Sequence, residues 1–549
     1  TTYLPNGKEV DVDKKDIYEE EVNKNWSQIR FTFPALKPGA IIEYKYELVS
    51  RLTFELPEWY FQDEIPVKHS ELWLEIPEWY DYIFLAQGNV PRPKVDYSYS
   101  DLLIGSADRI NVKVVRNTYV MENAPALRPQ PYITTLRDYF ARIRFQLKEY
   151  RFPGYMTEHV LTTWPKLAEE LWEADEFGGR MKREGSFSDV WEAAQPYLDG
   201  AQTTTEKIAA VYNFINRTFE VGDKTGIWSM TRFNQCLKEG KANRHVLNMM
   251  MVALLRKAGV EAHPVLISTR TNGLPIQTYP LIDQFDHVLC LALDDDGGAY
   301  FLEAGDPFRP IGILDENSLN RQGWVAIEGR PQWVDLPKNE SSATYFMSME
   351  LTNEGGLTGT ISCSFEGYEA IRYRKALLRD PDAKPLKDKV KEIFPEGEID
   401  SIVYTDIENI NKPLKAKIYC HLPEAGMAAG NFIYLSPAML SEFNENPFKY
   451  EERLFPVDFP YPVSEKIIAN IDFPEGYQVN ELPESVKMSM EGDGGSFQYR
   501  LSQRGNRLQL ISEMKVKKLH FLTEKYATLR NFFNLVSEKI SSQVVLSKT

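Results

Sequence analysis

Apolar side chains in the first part of the chain recur at every second position. The stretches "SQIRFTFPAL" (27–36), "AIIEYKYELVSRLTFEL" (40–56), "SELWLEI" (70–76), "YDYIFLAQG" (80–88) and "INVKVV" (110–115) alternate apolar with polar residues and are punctuated by Pro-Gly or Asp. A period of two turns one face of each strand toward a core, so the pattern predicts an N-terminal antiparallel β-sandwich domain over 1–120. "LPEWY" at 56–60 is echoed by "IPEWY" at 76–80. The echo could mark an aromatic binding strip, but a single pair falls short of a repeat array, and two strands ending alike is the preferred reading.

Beyond residue 120 the period changes. "ENAPALRPQPY" (122–132) reads as a proline-rich connector, and Trp164, Leu167, Leu171 and Trp172 fall at helical spacing, which predicts a helical connector over 121–200. In "TTTEKIAAVYNFINRTF" (203–219), Thr203 and Glu206 form a capping-box pair, and Ile208, Val211, Ile215 and Phe219 share a face. The stretch "EGKANRHVLNMMMVALLRKAGVEAHPVLIS" (239–268) then reads as turn, helix and strand. Its helix is apolar on nearly every side, so it should be buried centrally with strands packed over it. Three strands follow, "AHPVLIST", "DHVLCLAL" and "AYFLEA", the last two joined by "DDDGG". The acidic run could be a calcium loop, but Asp296-Gly297 between apolar strands is a hairpin turn signal. These elements make an α+β core over 201–337. A β-rich domain over 338–455 is expected to hold one helix near 367–395. A C-terminal β domain over 456–549 closes with "TEKYATLRNFFNLVSEKI", where Tyr526, Leu529, Phe533, Val536 and Ile540 share a face. The fold class is therefore α+β and multidomain, as expected of 549 residues at about 150 per domain.

A formal net charge of −16 without any offsetting basic run excludes nucleic acid as the main partner. No apolar stretch reaches the roughly 18 residues needed to cross a bilayer, so membrane contact is expected to be peripheral at most. Residue 1 is Thr with no charged and apolar leader behind it, which fits a mature or trimmed form. Cys236, Cys290, Cys363 and Cys420 lie far apart with no CxxC spacing, suggesting neither a zinc ribbon nor a disulfide framework. There is no GxSxG elbow, no phosphate-binding glycine loop and no dinucleotide fingerprint; "GDGG" at 492–495 reads as a turn. No cofactor is called for.

The order helix, helix, strands, with His287 on the second strand and Glu303 on the third, resembles the transglutaminase-like core, a relative of the papain-like cysteine peptidases. The resemblance extends over nearly the whole chain. A β-rich domain, the connector "APALRPQPYITTLRDYFARIRFQL", the core and a β domain ending in "KYATLRNFF" resemble a bacterial architecture of such proteins. In that family a turn similar to "KEGKAN" precedes the nucleophilic Cys at the start of the helix that here ends "LLRKAG". The resemblance implies the catalytic His position at His287 and the Asp position at Glu303, and it puts Arg244 where the Cys would stand. A helix N-terminus favours a thiolate, whereas a guanidinium stays protonated and has no lone pair to attack a carbonyl. Residues 241–250, "KANRHVLNMM", contain no Cys, Ser or Thr, so the loss does not depend on register.

Cys236 precedes the turn by several residues. Cys290 is an odd number of residues from His287 and so should face the other way along the strand. His245, His263 and His287 could form a metal triad, but no HExxH-like pair fixes two ligands on one helical face, and structural roles are expected. Asn243 suits an N-cap whose side chain accepts from a first-turn N–H. The expectation is therefore a non-catalytic member with a degenerate Cys-His-Asp triad, binding a peptide, protein or glycan or serving as a scaffold. The resemblance further implies an exported bacterial protein acting in the periplasm or at the cell surface. The alternative is an active cysteine peptidase or acyltransferase of the same superfamily. At the site, the expectation is an ion pair of Arg244 with Glu303, or a network in which the two flank His287. The open alternative has Arg244, Asn243 and the first-turn N–H groups holding an anion of a ligand.

Overall fold

The computed structural model describes residues 1–23, 26–48, 56–104, 108–152, 154–222, 224–379 and 385–549. They divide into two compact units, Thr1–Pro57 and Glu58–Thr549, where the sequence pattern suggested a first boundary near 120. Within the first unit, Thr2–Tyr3 pairs with both Glu9–Val10 and Ile41–Ile42, and Ile17–Asn23 forms a hairpin with Trp26–Phe31. Of the strand expected over 40–56, Ile41–Ile42 pairs among the described residues, and 49–55 lie outside them.

The second unit begins with two small antiparallel sheets. Asp108–Ala124 pairs on one side with Val67–Pro77 and on the other with Lys94–Ile104. Tyr80–Gln87 leaves that sheet and pairs with Arg142–Tyr150. The latter strand lies inside the region expected to be helical; Ile143, Phe145 and Leu147 recur at period two and are all buried, which is the signature of a strand. Helix begins only at Trp164, where Thr163 caps the first turn and Pro165 occupies its start. The two "PEWY" echoes differ in role. Trp59 and Tyr60 form a short strand against Arg142 and Ile143, whereas Pro77 ends one strand and Tyr80 begins the next.

The core is built on the helix Arg244–Lys257. Residues 245–255 are all buried, so this helix has no solvent face. On one side it meets a five-stranded antiparallel sheet ordered Ala299–Leu302, His287–Leu293, Glu261–Ile267, Gln322–Val325 and Gln332–Asp335. Val288, Cys290, Ala292, Ala262 and Leu266 point into the helix side, while Val265, Ile267, Leu289 and Leu291 form a second cluster on the opposite face. On another side it meets the helix Thr204–Thr218, and the apolar faces of Trp164–Glu173 and Ser188–Leu198 belong to the same cluster. Each fully buried Leu or Met contributes about 1.5–3 kcal/mol. The Thr203 and Glu206 capping box is present in both directions. In the "DDDGG" hairpin, Asp294 Oδ1 accepts from the backbone N–H of Asp296 at 3.1 Å, and Gly297 takes φ +81°, a conformation open to glycine.

The C-terminal part differs from expectation in two respects. A single eight-stranded sheet runs Glu398–Thr405, Leu414–Leu422, Leu357–Glu366, Ser341–Leu351, Val463–Asp472, Arg507–Val516, Gly495–Arg504 and Val486–Ser489. Ser341–Leu351 and Val463–Asp472 pair in parallel at its centre and join 338–455 to 456–549 in one hydrophobic core. The helix expected near 367–395 is two helices, Gly367–Arg379 and Pro385–Ile393. "GDGG" is a turn between adjacent strands, and Tyr526–Ile540 buries all five residues of its expected face. Among the described residues, no helix is long and apolar enough to cross a membrane.

Candidate functional site

Arg244, His287 and Glu303, far apart in sequence, meet where the N-terminus of the central helix approaches the ends of two adjacent strands. Asn248 sets this meeting point. It lies one turn beyond Arg244, so both side chains share a face of the helix. Fully buried, it donates from Nδ2 to the Val288 carbonyl at 2.7 Å and accepts the Ala304 N–H on Oδ1 at 2.7 Å. One amide thereby ties the strand positions next to His287 and Glu303 to the helix. A lone Asn inside "VLNMMMVALL" is the signal that could have marked it. From the other side, Asn216 accepts the Gly305 N–H at 2.9 Å, and Tyr212 donates to the Arg309 carbonyl at 3.0 Å.

Glu303 is the hub. Its Oε1 accepts from His287 Nε2 at 3.0 Å and from the Ser318 hydroxyl at 2.8 Å; its Oε2 accepts the Asp315 N–H at 2.7 Å. Arg309 Nη1 stands 3.5 Å from Oε2, and Arg244 Nη1 3.4 Å from Oε1. Asp315 is shared, with Arg309 Nη2 at 2.8 Å and Arg244 Nη1 at 3.4 Å from its Oδ2. Asp306 lies 3.9 Å from Arg309 and 2.5 Å from Lys375, a residue of the C-terminal domain. Three carboxylates thus meet three permanent cations, and the cluster is neutral with His287 uncharged. Burial alone would raise the Glu303 carboxyl; the His287 hydrogen bond, followed by the fields of Arg309 and Arg244, reverses that and holds it well below the usual carboxylate range. Burial works against the charged form of Arg309, but Glu303 and Asp315 more than compensate and raise it.

Since an ionised carboxylate only accepts, His287 Nε2 carries the proton. A neutral ring then presents a bare lone pair on Nδ1, which is buried and has no hydrogen-bond partner among the described residues. This is the nitrogen that would take the proton of a nucleophile, and among the described residues no donor reaches it. Arg244 instead lies over Gly305, at φ +127°, where an added Cβ would stand 2.9 Å from its Nε. Its side chain remains about one-third exposed.

The other anticipated residues lie elsewhere. Asn243 occupies the N-cap backbone position, but its side chain makes no capping bond. Its Oδ1 is turned against Gly222, in the space that a Cβ there would fill, because residues 241–243 pair in parallel with 220–222. His245 Nε2 meets the Trp228 carbonyl at 3.1 Å, and burial lowers its pKa. His263 Nε2 meets Glu261 at 3.0 Å, and its strand position opposes Leu291 rather than His287. Among the described residues, no group of three His, Cys, Asp or Glu side chains is arranged to hold a metal. Cys236 and Cys290 are buried. Arg309, Asp315, Ser318 and Asn248 were not anticipated.

A buried helix against an antiparallel sheet, with a histidine and an acid on adjacent strands facing the helix start, is the arrangement of a transglutaminase-like core. Residues 192–290 match the transglutaminase-like superfamily; residues 1–103 match a domain of unknown function, DUF3857, and residues 431–546 another, DUF3858. The fold is also similar to a crystal structure from Parabacteroides distasonis described as a "putative protease". That match has a TM-score of 0.56 and 11% identity, and covers 100% of this chain and 88% of the other. At that identity the likeness concerns the fold alone. No curated protein matches the sequence. The chain therefore carries a transglutaminase-like core flanked by DUF3857 and DUF3858 domains. The core match takes in Arg244 and His287 but ends before Glu303, so the place of Glu303 rests on its geometry.

Proposed function

We propose that this chain is a non-catalytic transglutaminase-like protein whose core serves as a binding or scaffold element for a peptide, protein or glycan outside the cytoplasm. One observation carries the reading. Where the helix start would present a nucleophile to His287, Arg244 presents a guanidinium placed between Glu303 and Asp315. A guanidinium cannot attack a carbonyl, and its positive charge stands where a working thiol-imidazole pair would carry the negative thiolate. A protease reading, which the description of the similar crystal structure invites, needs a thiolate beside His287. Burial pushes the Cys236 thiol up to about 11 and the Cys290 thiol further still, so neither supplies one. Purified protein offered unfolded peptides, or a glutamine peptide together with a primary amine, is expected to give no cleavage and no amide exchange by mass spectrometry. Turnover that Cys236→Ala or Cys290→Ala abolishes would overturn the proposal.

A further inference from the structure

Away from Arg244, a cavity of about 910 Å³ opens between the core and the C-terminal domain. That is the size of a small-molecule site. Its walls include Tyr132, Phe443 and Tyr461, with the carboxyl groups of Glu369, Glu442 and Glu465. Most of these acids have cations of their own: Glu369 pairs with Arg372 at 2.6 Å and Glu442 with Lys389 at 2.5 Å. Glu465 does not. It projects from the strand at the centre of the eight-stranded sheet, is only 5% exposed, and is held by neutral donors alone, the Ser441 hydroxyl and the Glu442 N–H at 2.9 Å. Among the described residues it forms no ion pair. A buried carboxylate without a counter-charge is costly, and one in a cavity wall is relieved by a cation that enters from solvent. The aromatic wall supplies a partner for such a cation's apolar stem. Tyr461 stacks on Tyr368 at 3.9 Å and Tyr132 lies 4.3 Å from Phe459, so both rings are braced.

We propose that this cavity is a binding site for a small organic amine whose ammonium pairs with Glu465 and whose stem lies on the aromatic wall. The site is independent of the degenerate triad. Its charge state follows from its surroundings: burial pushes the Glu465 carboxyl up to about 7, the two hydrogen bonds and Lys389 act downward, and Glu442 acts upward. Lys389 also donates to Tyr345, and Arg270, Asp315, Glu316, Glu445, Lys449 and Asp458 face the same cavity. The ionised, amine-binding form prevails above pH 7 and is lost as pH falls through that value.

Calorimetric titration of the full chain with n-butylammonium chloride at pH 8 in low salt tests the site, with n-butanol as the uncharged stem. The ammonium should bind at least about tenfold more tightly than the alcohol, and about tenfold more weakly at pH 6 than at pH 8, following the ionised fraction of a group near 7. Glu465→Gln, with far-UV circular dichroism unchanged, should weaken ammonium binding about tenfold and remove its pH dependence. Nα-acetyl-lysine methylamide distinguishes the sources: tighter binding than butylammonium assigns the ammonium to a protein side chain, and weaker binding to a free amine. Equal binding of the alcohol, pH-independent binding of the ammonium, or no binding to the unaltered chain would each overturn the site. The pH titration of the unaltered chain stands even if the variant fails to fold.

Discussion

Glu303 and Glu465 are two buried glutamates whose surroundings drive them in opposite directions. Glu303 directly follows the core strand Ala299–Leu302, receives four hydrogen bonds, one of them from Arg244, and lies near the Arg309 guanidinium as well; it is held ionised. Glu465 sits in the middle of the C-terminal sheet, receives two hydrogen bonds from neutral donors, and is pushed up to about 7. Burial is nearly the same, so the difference lies first in the hydrogen bond from His287 and then in the guanidinium groups of Arg309 and Arg244. The core has completed its charge network internally, at the position where chemistry would otherwise occur, whereas the C-terminal domain has left a carboxyl without a counter-charge beside a cavity.

The largest test of that contrast is Arg309→Leu. It leaves Glu303 and Asp315 with only the partly exposed Arg244, and loss of one partner from a buried cluster should cost about 3–5 kcal/mol in denaturant unfolding. A loss below about 1 kcal/mol would show that the network is not the source of Glu303's ionisation. Glu303→Gln should cost about 2–3 kcal/mol at pH 7. Because the folded carboxyl is depressed, its contribution is present above the ordinary glutamate value of about 4.5 and fades as pH falls below it, so the deficit of the Gln variant should shrink in acid. A deficit independent of pH would point to lost packing instead. Glu465→Gln should act with the opposite sign. A carboxyl raised to about 7 costs the folded chain nothing below about 4.5, and the penalty grows between the two values. The variant, which cannot ionise, should therefore match the parent near pH 4.5 and exceed it by about 2 kcal/mol at pH 8. Unfolding curves that stay parallel from pH 4.5 to 8 would rule this out. Smallest is Arg244→Cys. Its two carboxylate contacts are at 3.4 Å and the side chain is about one-third exposed, so the loss should be under about 1 kcal/mol after solvent screening.

Much of the core was legible because it is periodic. An apolar run as long as 246–255 without a polar face reads as a central helix, and the apolar runs "DHVLCLAL" and "AYFLEA" bounded by Asp-Gly read as strands, which puts His287 at the start of one and Glu303 one residue past the end of the other. The rest of the charge cluster was not legible, because Arg309, Asp315 and Ser318 come from the irregular chain between 303 and 318, where no period ties one residue to another. Asn243 shows a different limit. Its type and position suited a cap, but a parallel pairing with 220–222 turned its side chain toward Gly222. The connector was misread where Ile143, Phe145 and Leu147 carried a strand period inside a proline-rich neighbourhood. The single C-terminal sheet escaped for a related reason: the register that joins Ser341 to Val463 spans a separation that no local pattern encodes.

That same parallel joint bears on how the protein is made. As the chain leaves the ribosome, Ser341–Leu351 can pair at once with Leu357–Glu366, its hairpin neighbour, but its other edge must wait for Val463–Asp472 to be synthesised. During that interval an edge with Tyr345, Met347, Met349 and Leu351 on one face lacks both its neighbour strand and the helix Tyr526–Ile540 that helps cover the finished sheet. An unpaired, apolar edge of this kind invites association with other nascent chains. Stalling or truncation between residues 366 and 463 should therefore yield insoluble product, whereas a chain completed through the last helix should not.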